Sequence, residues 1–408
     1  MVFEPDYAGH HFAYLRLILS AFADMGASVV LATSAKAVVS TPYSLFIAPI
    51  ADRVQIDSWV PPSRSSLVSA SLHRVYLLAQ AIRRARPDHL VVPYADGLSQ
   101  VLGAVRPLNI IPRSVPSEGL MFRGGYAYPS GSHRRRAFTL ASWELAARAP
   151  WTRVHQLDPF VLDVIRQRGG RFASRCSLMP DPVEPAAPIE SNVARGRLGI
   201  PEDGRYVGCV GALDRRKGVD LLIHAFAKAQ LSARDRLLLV GPHEPYVADL
   251  LRCPYRELVR SGRIISIDRF VSQEEFESAV ASVDVVCTPY PAHIGSASIV
   301  IRAAAARKFV LGSDFGWIGA MIRRFALGRA CRVTDPLEFA RALTESLAEA
   351  QDFALGEAAR RFVKFHSPEN FAACWTAYSR DRIGKPHAPG RVDWEWVSEA
   401  LDAPSVSS

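Results

Sequence analysis

The first chemistry the sequence offers is a cluster of cations at the end of an apolar run. In Val207-Gly208-Cys209-Val210-Gly211-Ala212-Leu213-Asp214-Arg215-Arg216-Lys217-Gly218, a strand-like stretch stops at a glycine. Three basic side chains follow, and a second glycine then opens a helical pattern. In open α/β sheets ligands gather beyond the carboxyl ends of the strands, so Arg215, Arg216 and Lys217 are placed to meet an anion such as a diphosphate. A second segment, Tyr290-Pro291-Ala292-His293-Ile294-Gly295-Ser296-Ala297-Ser298, ends in small residues ahead of a strongly helical run. Ser298 is expected to cap that helix, leaving backbone N–H groups and the positive end of the dipole to face a ligand. Arg302 falls one turn further on. Read separately, the first segment also fits a solvated loop and the second a capped core helix; two anion-suited loops in one domain reinforce each other.

The elements that must hold these residues are legible as short apolar runs alternating with helical patterns, the signature of parallel sheets covered on both faces. Strands are expected at residues 1–4, 28–33, 89–93, 108–112 and 152–155, then at 206–211, 236–240, 263–267, 283–288 and 309–311. Between the two series, residues 179–188 hold four prolines, which suit a crossing between domains. The division expected is 1–182, 183–367, a helix at 368–384 that returns to the first domain, and a tail at 385–408 containing Trp394 and Trp396. In the first domain, Gly9, His10 and His11 follow the first strand, where a glycine admits close backbone approach and an imidazole can donate a hydrogen bond or hold a proton. Asp96 and Glu118 are further carboxylates expected at the ligand end, although an Asp-Gly turn such as Asp96-Gly97 also serves simply as a turn.

Composition narrows the classes. The 408 residues exceed one core, and 22% charged residues with seven Trp and nineteen Phe exclude a disordered or fibrous chain. The net charge of +9 favours anionic partners, and arginines cluster at 83–86 and 134–136. These clusters read as solvated helix faces, with an anionic membrane surface as the other candidate partner. They lack the aromatic strands or zinc spacing of nucleic-acid modules, so no nucleic-acid partner is expected. The six cysteines are scattered without metal or redox spacing, and no apolar run is long enough to span a bilayer. These features point to a cytoplasmic protein without a metal site.

Taken together, the sequence over about 195–381 resembles glycosyltransferase family 4 and its group 1 relatives. The resemblance rests on Gly211-Ala212-Leu213 with Lys217-Gly218, on Leu238-Leu239-Val240-Gly241, on the loop from Asp268 and Arg269 to Phe276, and on Asp284 and Pro291. It implies an α/β chain of GT-B fold, two Rossmann-like doubly wound domains facing a central cleft. It further implies a donor-binding second domain that uses Arg215, Arg216, Lys217, Asp268, Arg269, Gly295, Ser296, Ala297, Ser298 and Arg302, with Gly9 of the first domain also at the donor, and a first domain that binds a glycan or glycolipid acceptor and carries His10, His11, Asp96 and Glu118 as the catalytic candidates. The implied reaction moves a sugar from a nucleotide-diphosphate donor with retention, with no metal and no other cofactor, inside the cell and as a peripheral partner of the membrane's inner face. The sequence departs from the family where two glutamates stand eight positions apart: these positions hold Ile294 and Arg302, and Ala212 replaces an arginine. That departure keeps open a noncatalytic binding or scaffold protein of the same fold, and a nucleotide-sugar epimerase.

Overall fold

Leu237, Leu238, Leu239 and Val240 are all fully buried, which only a central strand covered on both faces can achieve. The computed structural model describes residues 1–7, 11–60, 67–122, 124–128, 133–184 and 187–382. Gly9, His10 and the tail with Trp394 and Trp396 lie outside them. The described chain forms two units: Met1–Pro182 together with the chain from Pro368, and Val183–Ser367.

In the first unit, seven parallel strands are ordered β3-β2-β1-β4-β5-β6-β7. They are β1 (Val2–Phe3), β2 (Val29–Ser34), β3 (Val54–Trp59), β4 (Leu90–Val92), β5 (Ser117–Met121), β6 (Arg153–Gln156) and β7 (Cys176–Leu178). Helices α1 (His11–Asp24), α2 (Ala35–Val38), α3 (Leu67–Ala85), α4 (Leu98–Ala104), α5 (His133–Ala147), α6 (Pro159–Arg168) and α7 (Gly170–Ala173) connect them. The strand expected at 108–112 is absent. Pro107 and Pro112 remove ladder donors and Asn109 adopts a left-handed turn (φ 47°), so the chain bends there and pairs later, as β5.

The second unit repeats the scheme with six parallel strands in the order β10-β9-β8-β11-β12-β13. Here the strands are β8 (Tyr206–Val210), β9 (Arg236–Val240), β10 (Ile264–Ile267), β11 (Val285–Thr288), β12 (Phe309–Ser313) and β13 (Gly328–Cys331). Around them lie α8 (Ser191–Leu198), α9 (Val219–Lys228), α10 (Pro245–Arg252), α11 (Arg256–Arg260), α12 (Gln273–Ser282), α13 (Ser298–Ala305), α14 (Gly316–Arg324), α15 (Pro336–Glu349) and α16 (Glu357–Phe365). Asp284 is a structural anchor. Its Oδ2 accepts from the Tyr206 amide (2.7 Å) and from the buried Arg195 guanidinium (3.1 Å), tying α8 to the sheet. The last described helix, α17 (Pro368–Arg382), belongs to the first unit, where Phe371 and Trp375 are fully buried in the core with Leu15 and Ile18 of α1.

Candidate functional site

In both sheets the strand order reverses beside the first strand, between β1 and β4 and between β8 and β11, and the carboxyl ends there form the natural ligand crevices. In the second unit, β8 ends at Val210 and Gly211 turns the chain at φ 106°. Asp214 then closes a single 3-10 turn over Arg215–Lys217 by accepting from the Lys217 amide (3.1 Å). The turn folds Lys217 inward: its side chain is buried and Nζ donates to the Val210 carbonyl (3.0 Å). Glycine is required at 211 because a Cβ there would stand 2.5 Å from that Nζ, in a backbone conformation side chains rarely adopt. Burial pushes the Lys217 ammonium below its ordinary value, so this cation is held at an energetic cost.

Tyr290 forms the floor. The Lys217 ammonium sits 5.7 Å and the Arg216 guanidinium 5.8 Å from its ring centroid, both within cation–π range. Arg216 is half exposed, with Nη2 3.3 Å from Asp214 and Nη1 3.5 Å from His293 Nδ1. His293 Nε2 in turn donates to the Ser296 carbonyl (3.0 Å). The two anion-suited loops are therefore linked through one imidazole. Arg215 instead stacks on Tyr246 (4.6 Å), beside the first loop.

At the second loop the structure corrects one expectation. Ser298 is the first residue of α13 rather than its cap; the N-cap position is Ala297, which supplies no side-chain acceptor. Gly295 (φ 95°) makes the preceding turn, and among the described residues no side chain caps the first amides of α13. That suits an incoming anion better than the expected serine cap does. Arg302 is also corrected. Its guanidinium lies over the Phe276 ring of α12 (5.4 Å) and beside a cavity of about 250 Å³ lined by Val183, Ile189, Phe276, Glu277 and Lys308, away from the anion loops. Arg269 is bound on both nitrogens by Glu275 (2.6 and 3.0 Å), itself part of the Ser272 capping box, so it fastens the start of α12. Asp268 accepts from the His243 amide (2.8 Å) and orders the turn after β9.

In the first unit His11 opens α1, with Nδ1 3.1 Å from Glu4 Oε2. Its ring stacks on Tyr94 (3.5 Å between centroids), and Tyr94 stacks on Phe122 (4.4 Å). Asp96 follows β4 at the ligand end, where its Oδ2 accepts from the Phe122 amide (2.7 Å). Glu118 is not available to a substrate. It lies inside β5, fully buried, with its two oxygens 2.9 Å from His89 Nε2 and 2.9 Å from His155 Nε2. Glu4, Tyr94, Tyr290 and His293 were missed by sequence reasoning. Glu4 carried one signal, a carboxylate closing the first apolar run, while the others depend on contacts between segments. Among the described residues, no group of three or more His, Cys, Asp or Glu side chains is arranged to hold a metal ion.

Residues 204–349, which contain both anion loops, match the family model of glycosyl transferases group 1. The second unit carries a group 1 glycosyltransferase domain. Phosphatidyl-myo-inositol mannosyltransferase of Mycobacterium tuberculosis is 30% identical over 164 residues, which cover 39% of this chain. The match spans 41% of that relative's length. Among solved structures, sucrose-phosphate synthase from Thermosynechococcus elongatus superposes with a TM-score of 0.71 at 17% identity, over 94% of this chain and 98% of that one. Anabaena HepE, crystallised with UDP and glucose, gives 0.66 at 15% identity over the same shares. The chain has the GT-B fold of these glycosyltransferases. Within the glycosyltransferase domain, the segment from Gly211 to Gly218 joins Tyr290, His293 and the start of α13 to make a cationic site. The two positions that hold glutamates in the family are Ile294 and Arg302, and Arg302 faces α12.

Proposed function

We propose that the protein transfers a sugar from a nucleotide-diphosphate donor to a hydroxyl of a glycan or lipid-linked acceptor. The observation that carries this reading is the meeting of Lys217, Arg216 and the uncapped start of α13 around Tyr290, linked by His293. A diphosphate held there meets fixed positive charge and oriented amides. As the bond from the anomeric carbon to the phosphate oxygen breaks, the electron pair leaves on the diphosphate, and these groups stabilise it where it forms. The acceptor oxygen bonds to the anomeric carbon. With basic side chains doing this work, the reaction needs neither a metal ion nor another cofactor, and by family resemblance it retains the anomeric configuration.

Calorimetric titration with UDP, GDP and ADP and their sugar conjugates tests the site. One nucleotide should bind, and a Lys217→Ala, Arg216→Ala double variant should lose that binding; absence of binding to any nucleotide would sink the reading. The replacement of the family's glutamates by Ile294 and Arg302 favours a second reading, a noncatalytic binding or scaffold protein. It would bind a nucleotide and turn over no donor with any acceptor. Among the described residues no helix is long and apolar enough to cross a membrane. On α5, however, Phe138 (76% exposed) and Leu140 (43%) stand beside the exposed Arg134 and Arg136. These pairs, Arg134 with Phe138 and Arg136 with Leu140, each one helical turn apart but on different sides of α5, support peripheral docking on anionic lipid at the inner face of the membrane. Failure to sediment with phosphatidylglycerol vesicles at low salt would overturn that part.

A further inference from the structure

The second half of α13 borders a cavity of about 250 Å³ whose lining lies wholly within the second unit. Positions 302, 305 and 306 form one face of α13 there, and positions 276, 277 and 280 one face of α12. Lys308, just before β12, and residues 187–191 complete the wall. Ile189, Phe276, Val280 and Ala305 make much of that wall apolar. Two half-buried cations also reach it. The Arg302 guanidinium is covered on one side by the Phe276 ring (5.4 Å), and among the described residues it has neither a hydrogen bond nor an ion pair. The Lys308 ammonium donates to one neutral group, the Ser191 hydroxyl (2.9 Å). Burial pushes that ammonium below its ordinary value, so its charge is held at a cost that an anion beside it would offset.

We propose that this cavity is a second ligand site, which takes a small organic carboxylate with an apolar body and receives its charged end on Arg302 and Lys308. A guanidinium carries five N–H donors in a planar fork, and with one face against an aromatic ring its edge remains for bidentate pairing with a carboxylate. Phe276, Val280 and Ile189 supply the surface against which an apolar body is buried. The volume falls below the roughly 300–1,000 Å³ of pockets for drug-sized ligands, so the occupant is the size of a small metabolite. The site is distinct from the anion loops, because Arg302 turns towards α12 and Lys308 lies beyond the end of α13 opposite those loops.

Three carboxylates share the lining, and their exposure decides which charge the cavity prefers. Glu184 and Glu190 are exposed at the rim, where water solvates them, and Glu277 accepts from the Gln273 side-chain amide (2.7 Å). The half-buried cations have no such compensation. The interior therefore favours a negative charge, while the rim disfavours more than one, which selects a monoanion over a phosphate dianion. Arg307 adds a third cation at the mouth. It ends α13 in a left-handed conformation (φ 58°), with its amide on the Ala304 carbonyl (2.9 Å) and the Lys308 amide on the Ala303 carbonyl (2.8 Å). Glycine is the usual residue at such a position, so arginine is kept there at a steric cost.

Ligand-observed NMR titration of the full-length protein with phenylacetate and hexanoate tests the site. At least one should bind with a dissociation constant below about 1 mM. The matched neutral amides should bind at least about tenfold more weakly, because a charged hydrogen bond is lost. Arg302→Gln removes the charge and keeps the stem, and should weaken the acid by a similar factor. Ala305→Leu fills the space and keeps every charge, and should abolish binding. Inorganic phosphate, which has the charge without the apolar body, should not displace the acid, and neither should UDP. Binding of neither acid below that limit, an amide bound as tightly as its acid, or displacement by phosphate or UDP would overturn the proposal. So would wild-type affinity in either variant, and if one variant does not fold the other decides. The result is independent of the transfer reading, since no step of the test needs a donor, an acceptor or turnover.

Discussion

Glu118 sits where a charge is expensive, and its neighbours decide whether it is tolerated. Burial alone would raise its carboxyl, but hydrogen bonding to His155 and then His89 outweighs burial and holds it below its ordinary value of 4.5. Removing the carboxylate while leaving two imidazoles in the core should cost about 3–5 kcal/mol for Glu118→Ala, measured by urea unfolding. The sign of the pH dependence follows from the depressed value. The stabilisation is present above about pH 4.5, the unfolded value, and is lost as pH falls through the lower folded one. Wild-type stability should therefore decline below pH 4.5 more steeply than that of Glu118→Gln; equal slopes would show that the carboxylate is not stabilised in the fold. The same residue shows what sequence reading lacks at this scale. Ser117-Glu118-Gly119 looks like a polar loop because its partners come from elsewhere in the chain, His89 just before β4 and His155 in β6. Lys217, by contrast, was legible: a lysine followed by glycine after a strand end needs only local geometry to be placed.

At the scale of elements, parallel strands buried on both faces announce themselves as apolar runs, which is why β8, β9, β11 and β12 could be read directly. Edge and polar strands such as β3 and β7 carry no such run, and the false strand at 108–112 had apolar residues but the wrong backbone. Turn chemistry was partly readable. Gly218 ends the 3-10 turn at φ 61°, and a Cβ there would lie 2.6 Å from the Pro289 carbonyl, which belongs to the second loop of the site. Gly218→Ala should thus cost at least about 1–2 kcal/mol from the left-handed backbone alone, and the displaced Pro289 should weaken nucleotide binding as well. A thermal midpoint unchanged from wild type would show that the turn relaxes. The start of α13 was misjudged because Ser298 is a favoured capping type, whereas the backbone places Ala297 at the cap.

For the whole molecule, the informative fact is the order in which the chain visits its two units. The second, Val183–Ser367, is a continuous segment with its own core around Val207, Leu222, Phe226 and Phe339. Expressed alone it should fold and bind the same nucleotide as the intact chain, within about threefold by calorimetry; an insoluble or nucleotide-blind fragment would count against the site as drawn. Met1–Pro182 expressed alone lacks Phe371 and Trp375, both buried in its core, and should unfold at markedly lower urea than the first unit of the full-length protein.

The return of α17 also sets a schedule during synthesis. The first unit leaves the ribosome missing one wall of its core, and the whole of Val183–Ser367 must be translated before that wall appears. At typical elongation rates the delay is roughly 10–40 s, long compared with the folding of most single domains. For that interval the apolar side of α1, with Leu15 and Ile18, waits uncovered on the nascent chain, so a chaperone that shields it during translation would have more to do for the N-terminal half than for the half made last.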